Sequence, residues 1–125
     1  MPSDTPQTLV QAASHGNLDI VTEYLELGGD VNYRDQNGHT PLHCAVINET
    51  KDIVSELLRS GSDPTVVDKN GRTPLHCAVI NETKDIISDL LRSGADPTVE
   101  DKNGKTTFDF ASSEIQILLL TVIFL

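Results

Sequence analysis

Two histidine–cysteine pairs are the residues of this chain best suited to chemistry. His43-Cys44 and His76-Cys77 stand 33 positions apart in the same local sequence. Imidazole and thiolate are ligands that zinc prefers, and a thiol beside a histidine can serve as a nucleophile. Adjacent side chains on a helix point about 100° apart, however, so one pair cannot easily share a metal or align for catalysis. We therefore predict no metal site, no cofactor and no enzymatic activity.

The cysteines and the chain ends bear on cellular location. Two cysteines are too few for a disulfide scaffold. Equivalent positions of stacked helices lie ~10 Å apart, whereas a disulfide needs Cα atoms within about 7 Å, so we expect free, buried thiols. The first residues lack a signal-peptide pattern, and the apolar run 115–125 is shorter than the roughly 20 residues that span a bilayer. The sequence thus favours a cytoplasmic or nuclear protein, or both.

Composition limits the class of ligand. The 125 residues suit one domain, and the core must come from aliphatic side chains because aromatics make up only 4%. With 9 basic and 19 acidic residues the net charge is −10. Phosphate binding needs clustered Lys and Arg, so nucleic acid is not the expected partner.

One 33-residue period organises the chain. Segments 37–69 and 70–102 are identical at 28 of 33 positions without a gap. The five differences are His39/Arg72, Val54/Ile87, Glu56/Asp89, Ser62/Ala95 and Val67/Glu100. The period continues in Leu9, Leu42, Leu75 and Phe108, and in Gly28, Gly61 and Gly94. We predict a single repeat domain over 1–125, with units at about 4–36, 37–69, 70–102 and an incomplete 103–125.

Each complete unit encodes two helices and a turn. Thr40 before Pro41 predicts a capped first helix, and Thr50 is placed to cap a second one. Gly61 suits the left-handed end of that second helix, and 68–71 has turn chemistry. The apolar positions of the two helices are Leu42, Ala45, Val46, Ile53, Val54, Leu57 and Leu58. A unit this small cannot bury that stripe alone, so stacking into a solenoid is predicted.

The repeated motif resembles the ankyrin-repeat family. The segments Thr40–Ala45, Thr73–Ala78, 28–32 and 68–73 carry the likeness. It implies an all-α solenoid of helix–turn–helix units with short β-hairpin loops, no enzymatic activity, and a signature histidine that bonds backbone between units. It also implies protein binding through the hairpin tips and the concave face of the first helices. Lys51 and Lys84 replace apolar family residues, and Thr107 and Asp109 replace the signature Pro and His, as in a terminal unit.

Basic residues concentrate in the loops of this acidic chain. Five of the nine are Arg34, Lys69, Arg72, Lys102 and Lys105. The second helices instead carry Asp19, Glu23, Asp52, Glu56, Asp85 and Asp89. This asymmetry favours a protein partner with an acidic surface, although a solvated edge with local salt bridges remains the alternative.

The predicted function is a protein–protein interaction module acting as scaffold, adaptor or inhibitor. Two alternatives remain: a regulatory segment of a larger, enzymatic protein, and a membrane-associated protein that uses its apolar C-terminal end. The predicted partner-binding residues are Tyr33, Arg34, Gln36, Asn37, His39, Ile47, Asn48, Val66, Val67, Lys69, Asn70, Arg72, Ile80, Asn81, Val99, Glu100, Lys102, Asn103 and Lys105.

The last segment breaks the polar pattern of the repeats. Aligned by the period, the inward positions are Leu119, Leu120, Ile123 and Phe124, and the outward ones are Leu118, Val122, Leu125 and in part Ile115. A terminal repeat normally has a polar outer face. An apolar one predicts self-association through this end, or a truncated or alternatively ended chain.

Overall fold

The computed structural model describes residues 8–124, with side chains through residue 121. This range forms eight helices and no strand: α1 Leu9–His15, α2 Leu18–Glu26, α3 Pro41–Ile47, α4 Lys51–Arg59, α5 Pro74–Ile80, α6 Lys84–Arg92, α7 Thr107–Phe110 and α8 Ser113–Phe124. The odd-numbered helices stack on one another in one layer, and the even-numbered helices stack in a second layer. The predicted all-α repeat solenoid is confirmed, while its loops are turns rather than paired strands.

The first helix of each complete unit begins as the sequence predicts. The hydroxyls of Thr40 and Thr73 accept hydrogen bonds from the backbone N–H groups of His43 and His76, each at 3.3 Å. A proline follows each threonine at the first helical position, where no N–H is needed. These caps fix where α3 and α5 start, and therefore which of their faces turns into the stack.

The second helices begin differently from the prediction. Thr50 makes no capping bond; its hydroxyl donates backwards to the carbonyl of Ala45 at 3.1 Å, and Thr83 repeats this bond at 3.2 Å. The reason lies in the preceding residues, because Glu49 and Glu82 both adopt a left-handed φ of 58°. This tight turn brings each threonine hydroxyl to the end of the preceding helix instead of the start of the next.

The core is aliphatic and lies between the two layers and between successive units. The fully buried side chains include Leu42, Ile53, Leu57, Leu75, Ile87 and Leu90. Gly61 and Gly94 have φ angles of 96° and 98°, which confirms the predicted left-handed helix ends. Among the described residues, one buried side-chain group lacks a partner: the Ser62 hydroxyl makes no hydrogen bond, and the following unit has Ala95 at this position.

Helix α8 packs in a different register from the one the period predicts. Ile115 and Leu119 are buried, whereas Leu120 is 44% exposed and Ile117 is 65% exposed. The prediction was therefore wrong for Leu120, placed inward, and for Ile115, placed partly outward; Leu118, placed outward, is half-buried. The predictions for Val122, Ile123, Phe124 and Leu125 concern side chains outside the described residues.

The cause of this shift is a shortened first helix in the fourth unit, because α7 has four residues where α5 has seven. Helix α7 ends at Phe110 and Ala111 is extended, so α8 starts at Ser113. Ile115 and Leu119 consequently occupy the sites of Ile86 and Leu90 at a separation of 29 residues instead of 33. Within the described range, no helix combines the length and the apolar character needed to cross a membrane.

Candidate protein-binding surface

Three loops project beside the first helices and share one rigid turn. In the loop 68–72, Oδ1 of Asp68 accepts from the backbone N–H groups of Asn70 and Arg72 at 2.8 and 3.1 Å. The same pattern recurs around Asp35 and Asp101. Because each aspartate is used inside its own turn, its charge is directed at the backbone and not at the loop tip.

The inward orientation shows in the burial of Asp68 and Asp101 and in the acidity of Asp101. Asp68 and Asp101 are only 6% exposed. The pKa of Asp101 is lowered below its usual range, first by the backbone N–H of Lys105 and with further contributions from Asn103 and Arg72. A carboxylate held ionised in this way stabilises the turn over the whole neutral range.

Two predicted binding residues, Arg34 and His39, instead hold neighbouring loops together. The Arg34 guanidinium donates to the carbonyl of Val67 at 2.6 Å, one repeat further along. Nε2 of His39 lies 3.3 Å from Oδ2 of Asp68. These contacts tie the first loop to the second, so Arg34 and His39 are first of all structural residues.

Arg72 makes the corresponding connection between the second loop and the fourth unit. Its Nε lies 3.5 Å from Oδ2 of Asp101, and its guanidinium sits 5.2 Å from the centre of the Phe110 ring. The guanidinium is thus engaged on two sides, by a carboxylate and by an aromatic face. Removing it would disturb the stack as well as any surface charge.

The remaining loop lysines are different in kind. Lys69, Lys102 and Lys105 are exposed, and none of the three forms an ion pair with any described residue. Together they form what we call the lysine edge. Of the five basic loop residues, these three are the ones whose charge is available to a partner.

The ends of the first helices, which the family resemblance places on the concave face, present two apolar side chains. Ile47 and Ile80, at the ends of α3 and α5, are each 43% exposed. The neighbouring asparagines form hydrogen bonds to the preceding unit. Asn48 donates to the carbonyl of Ser14 at 2.8 Å, and Asn81 donates to the carbonyl of Ile47 at 3.4 Å. The isoleucines, rather than the asparagines, are therefore free to meet another molecule.

The other predicted binding residues divide by exposure. Tyr33, Gln36, Asn37, Asn70, Glu100 and Asn103 are exposed, whereas Val66, Val67 and Val99 are half-buried. The loop tips and the concave helix ends thus lie at the surface as two strips, one polar and basic and one apolar. Whether they bind a partner stays a prediction at this stage.

The repeated histidines His43 and His76 serve the interfaces between units. In His43, Nδ1 accepts from the Thr40 backbone N–H at 3.2 Å while Nε2 bonds the carbonyl of Arg72 at 2.9 Å. His76 makes the same pair of bonds, reaching the carbonyl of Lys105 at 3.1 Å. Since both ring nitrogens are occupied, these imidazoles are the inter-unit links that the family resemblance implies, and burial lowers the pKa of His43.

Both thiols are free, and burial makes both weakly acidic. Desolvation raises the pKa of Cys44, and it raises the pKa of Cys77 to about 12. Cys77 is half-buried and not fully buried as expected. A thiol of such high pKa is a poor nucleophile at neutral pH, and among the described residues no group of three His, Cys, Asp or Glu side chains could hold a metal ion.

The back of the stack carries ion pairs that sequence reasoning missed. Lys51 Nζ lies 3.1 Å from Oδ2 of Asp85 in the next unit, and Lys84 pairs in the same way with Glu114. The signal was present in the sequence, because the second lysine repeats the first at the period of 33. The second partner was hidden because the α8 shift moves the acidic counterpart of Asp85 to Glu114.

Comparison with known proteins gives short but consistent matches. Segments of 44 or 46 residues align with three curated relatives. One is dynein axonemal heavy chain 12 of Bos taurus, 48% identical over 35% of this chain and 12% of that protein. The others are ankyrin repeat and SOCS box protein 14 of Homo sapiens (44% identity; 37% of this chain, 8% of that protein) and ankyrin repeat-containing protein P1E11.10 of Schizosaccharomyces pombe (44% identity; 37% of this chain, 22% of that protein). The chain therefore matches less than a quarter of the length of each relative.

The family comparison covers far more of the chain. A model of ankyrin repeats in three copies matches residues 9–114. Ankyrin repeats generally serve as protein–protein interaction modules and are typically non-enzymatic. With the match, the stacked helix pairs and the histidine links in agreement, the chain belongs to the ankyrin-repeat family.

Proposed function

We propose that this chain binds a partner protein that presents an acidic strip, with the lysine edge making the charged contacts and the concave isoleucines the apolar ones. The observation that carries the proposal is the orientation of charge in the loops. Asp68 and Asp101 are buried in their own turns, while the lysine edge (Lys69, Lys102 and Lys105) is exposed without an ion pair in the described structure. A chain of net charge −10 thus offers a locally basic edge.

The apolar strip supplies the second half of the proposed interface. Ile47 and Ile80 occupy the same position in successive first helices and are equally exposed. Interfaces commonly combine an apolar centre, which contributes most of the affinity, with a charged rim that sets orientation and association rate. A scaffold, adaptor or inhibitor role is compatible with such a surface, because each requires only that a partner be held.

The test compares what the chain captures before and after removing the lysine edge. A tagged chain is used in a quantitative pull-down, next to the triple variant Lys69→Ala, Lys102→Ala, Lys105→Ala. The matched control removes lysines from the back, Lys51→Ala with Lys84→Ala. Partners that depend on the lysine edge should be lost from the triple variant only, and the loss should be greatest at low salt, where charges are least screened.

A specific outcome would refute this assignment. If the triple variant retained the partners of the parent chain while the back-face variant lost them, the binding surface would be the even-numbered helix layer. An additional variant sharpens the test. Glu100 is an exposed acidic residue of a loop, and the equivalent residue of the preceding unit is Val67. Glu100→Val should strengthen binding to an acidic partner.

A second function is favoured by the lengths of the relatives. The proteins matched are several times longer than the aligned segments. We therefore also propose that this stack can act as the regulatory or targeting segment of a larger protein. An antibody against the chain would report the mass of the endogenous protein by immunoblot, and a single band at the mass of the chain alone would reject this reading.

The exposed face of α8 supports a further proposal, self-association. Ile117 and Leu120 are 65% and 44% exposed on one side of this helix. Burying them against a second copy would remove apolar surface from water. Sedimentation velocity at several concentrations tests this, and a monomer at every concentration would remove self-association from the proposal.

A further inference from the structure

The three loops carry the same asparagine–glycine pair in the same turn. The pairs are 37–38, 70–71 and 103–104. In each, the glycine N–H donates to the carbonyl of the aspartate three residues earlier at 3.0 Å, and the glycine φ lies between 75° and 76°. All three asparagine side chains are exposed. The local chemistry and the local geometry are therefore equivalent at the three sites.

An Asn-Gly pair can lose ammonia without any enzyme. The glycine amide gives its proton to solvent, and its nitrogen attacks the side-chain carbonyl carbon of the asparagine. The bond from that carbon to the amide nitrogen then breaks as the departing nitrogen takes a proton from solvent. Ammonia leaves and a five-membered succinimide remains, which water then opens to aspartate or isoaspartate. Glycine favours the attack because it has no Cβ to obstruct it. The attack also requires rotation about the Cα–C bond of the asparagine, which swings its carbonyl oxygen.

In the first two loops the neighbouring unit opposes that rotation. The carbonyl of Asn37 accepts from the backbone N–H of Lys69 at 3.1 Å, and the carbonyl of Asn70 accepts from that of Lys102 at 2.9 Å. The same neighbour fills the space above the glycine. A methyl group added at Gly38 or Gly71 would stand 3.0 or 2.9 Å from the backbone nitrogen of the next loop.

The third loop has neither restraint within the described structure. No described N–H donates to the Asn103 carbonyl, and Gly104 is exposed, with no atom within 4 Å of where a methyl group would stand. We propose that Asn103 is a selective site of spontaneous deamidation, and that the same reaction at Asn37 and Asn70 is suppressed by the loop stacked on each.

The product would alter the charge of the lysine edge. A new carboxylate appears between Lys102 and Lys105, the two exposed cations that flank it in sequence. This consequence for binding rests on the proposed function, whereas the site selectivity does not. Deamidation would then act as a slow, irreversible reduction of the basic character that an acidic partner meets.

The experiment measures deamidation at all three pairs in one sample. The folded chain is incubated at neutral pH and 37 °C, and peptide mapping by mass spectrometry follows the mass increase and the isoaspartate content at each asparagine. We expect Asn103 to react roughly three- to tenfold faster than Asn37 or Asn70, the factor that corresponds to one net backbone hydrogen bond. The variant Asn103→Gln should remove the fast phase.

The matched control is the same chain unfolded in urea, where no loop covers another. There the three sites should react at similar rates, since each has the sequence Asn-Gly between polar residues. Equal rates at the three sites in the folded chain would overturn the proposal, and so would a persistent preference for Asn103 after unfolding. No partner protein enters the measurement, so its failure is distinct from failure of the proposed function.

Discussion

Replacing a loop glycine by alanine separates two causes of destabilisation that usually occur together. Gly71 and Gly104 have φ angles of 76° and 75° in the same turn. An alanine at either position is forced into the left-handed region, at a cost of roughly 1–2 kcal/mol. Part of that cost, about 0.4–1 kcal/mol, is offset because alanine has less freedom in the unfolded chain. Gly104→Ala should therefore lower the free energy of unfolding by about 0–1.6 kcal/mol.

Gly71→Ala adds a clash that Gly104→Ala lacks. The new methyl carbon would stand 2.9 Å from the backbone nitrogen of Lys102, and this nitrogen donates to the Asn70 carbonyl. Moving the two loops apart costs about 1–3 kcal/mol for overpacking, plus about 0.5–1.5 kcal/mol if the hydrogen bond breaks. The two variants should consequently differ by about 2–4 kcal/mol.

Urea unfolding followed by far-UV circular dichroism measures this difference at equilibrium. The slope of free energy against urea must be unchanged for the comparison to hold. Gly38→Ala provides a third measurement, because its methyl group would also meet the next loop, 3.0 Å from the nitrogen of Lys69. If the alanine variants at positions 71 and 104 were equally stable, contact between successive loops would contribute nothing, and the argument for selective deamidation would lose its structural basis.

Four other predictions follow from individual contacts. Ser62→Ala should stabilise the chain by about 1 kcal/mol, since the buried hydroxyl lacks a partner, whereas Thr73→Ala should destabilise it by about 1 kcal/mol by removing an N-cap. Thermal unfolding measures both changes in stability. A change of the opposite sign in either variant would contradict the hydrogen bonding described. Burial lowers the pKa of His43, so its stabilising contribution is complete above the unfolded pKa of about 6.5 and is lost as the pH falls through the lower folded pKa. Urea titrations at several pH values should show a smaller acid loss for His43→Gln than for the parent chain. Ile117→Lys with Leu120→Lys should abolish any concentration-dependent sedimentation while leaving helix content unchanged, and continued association would exclude this face.

The repeat architecture was predictable because it depends on local signals that recur. Thr73 before a proline specifies a helix start without reference to the rest of the fold. Gly94 likewise identifies a left-handed helix end on its own. Copies of such signals at a constant period then require stacking, because no unit can bury its apolar stripe alone.

Features that depend on the spacing between units were not predictable in the same way. The prediction of the α8 register was wrong because carrying the period forward assumes units of constant length, and α7 is three residues shorter than α5. The structural roles of Arg34 and Arg72 were not predicted, because the sequence around a loop arginine is the same whether it binds a neighbouring loop or a partner protein. The prediction that Lys69 is exposed was correct, because a long side chain at the tip of a turn has no neighbour to pack against.

The near-identity of the second and third units means that recombination between them can remove or add one whole repeat. A recombination event that deletes 37–69 would join Gln36 directly to Asn70 and leave a stack of three units. Every surface meeting at the new junction differs from the present one at no more than five positions, of which Val67/Glu100 is the largest change in polarity. Asn81 would bond the Ser14 carbonyl as Asn48 does now. Copy number can therefore change in either direction without the invention of a new interface, so variants of this chain that differ by 33 residues should fold.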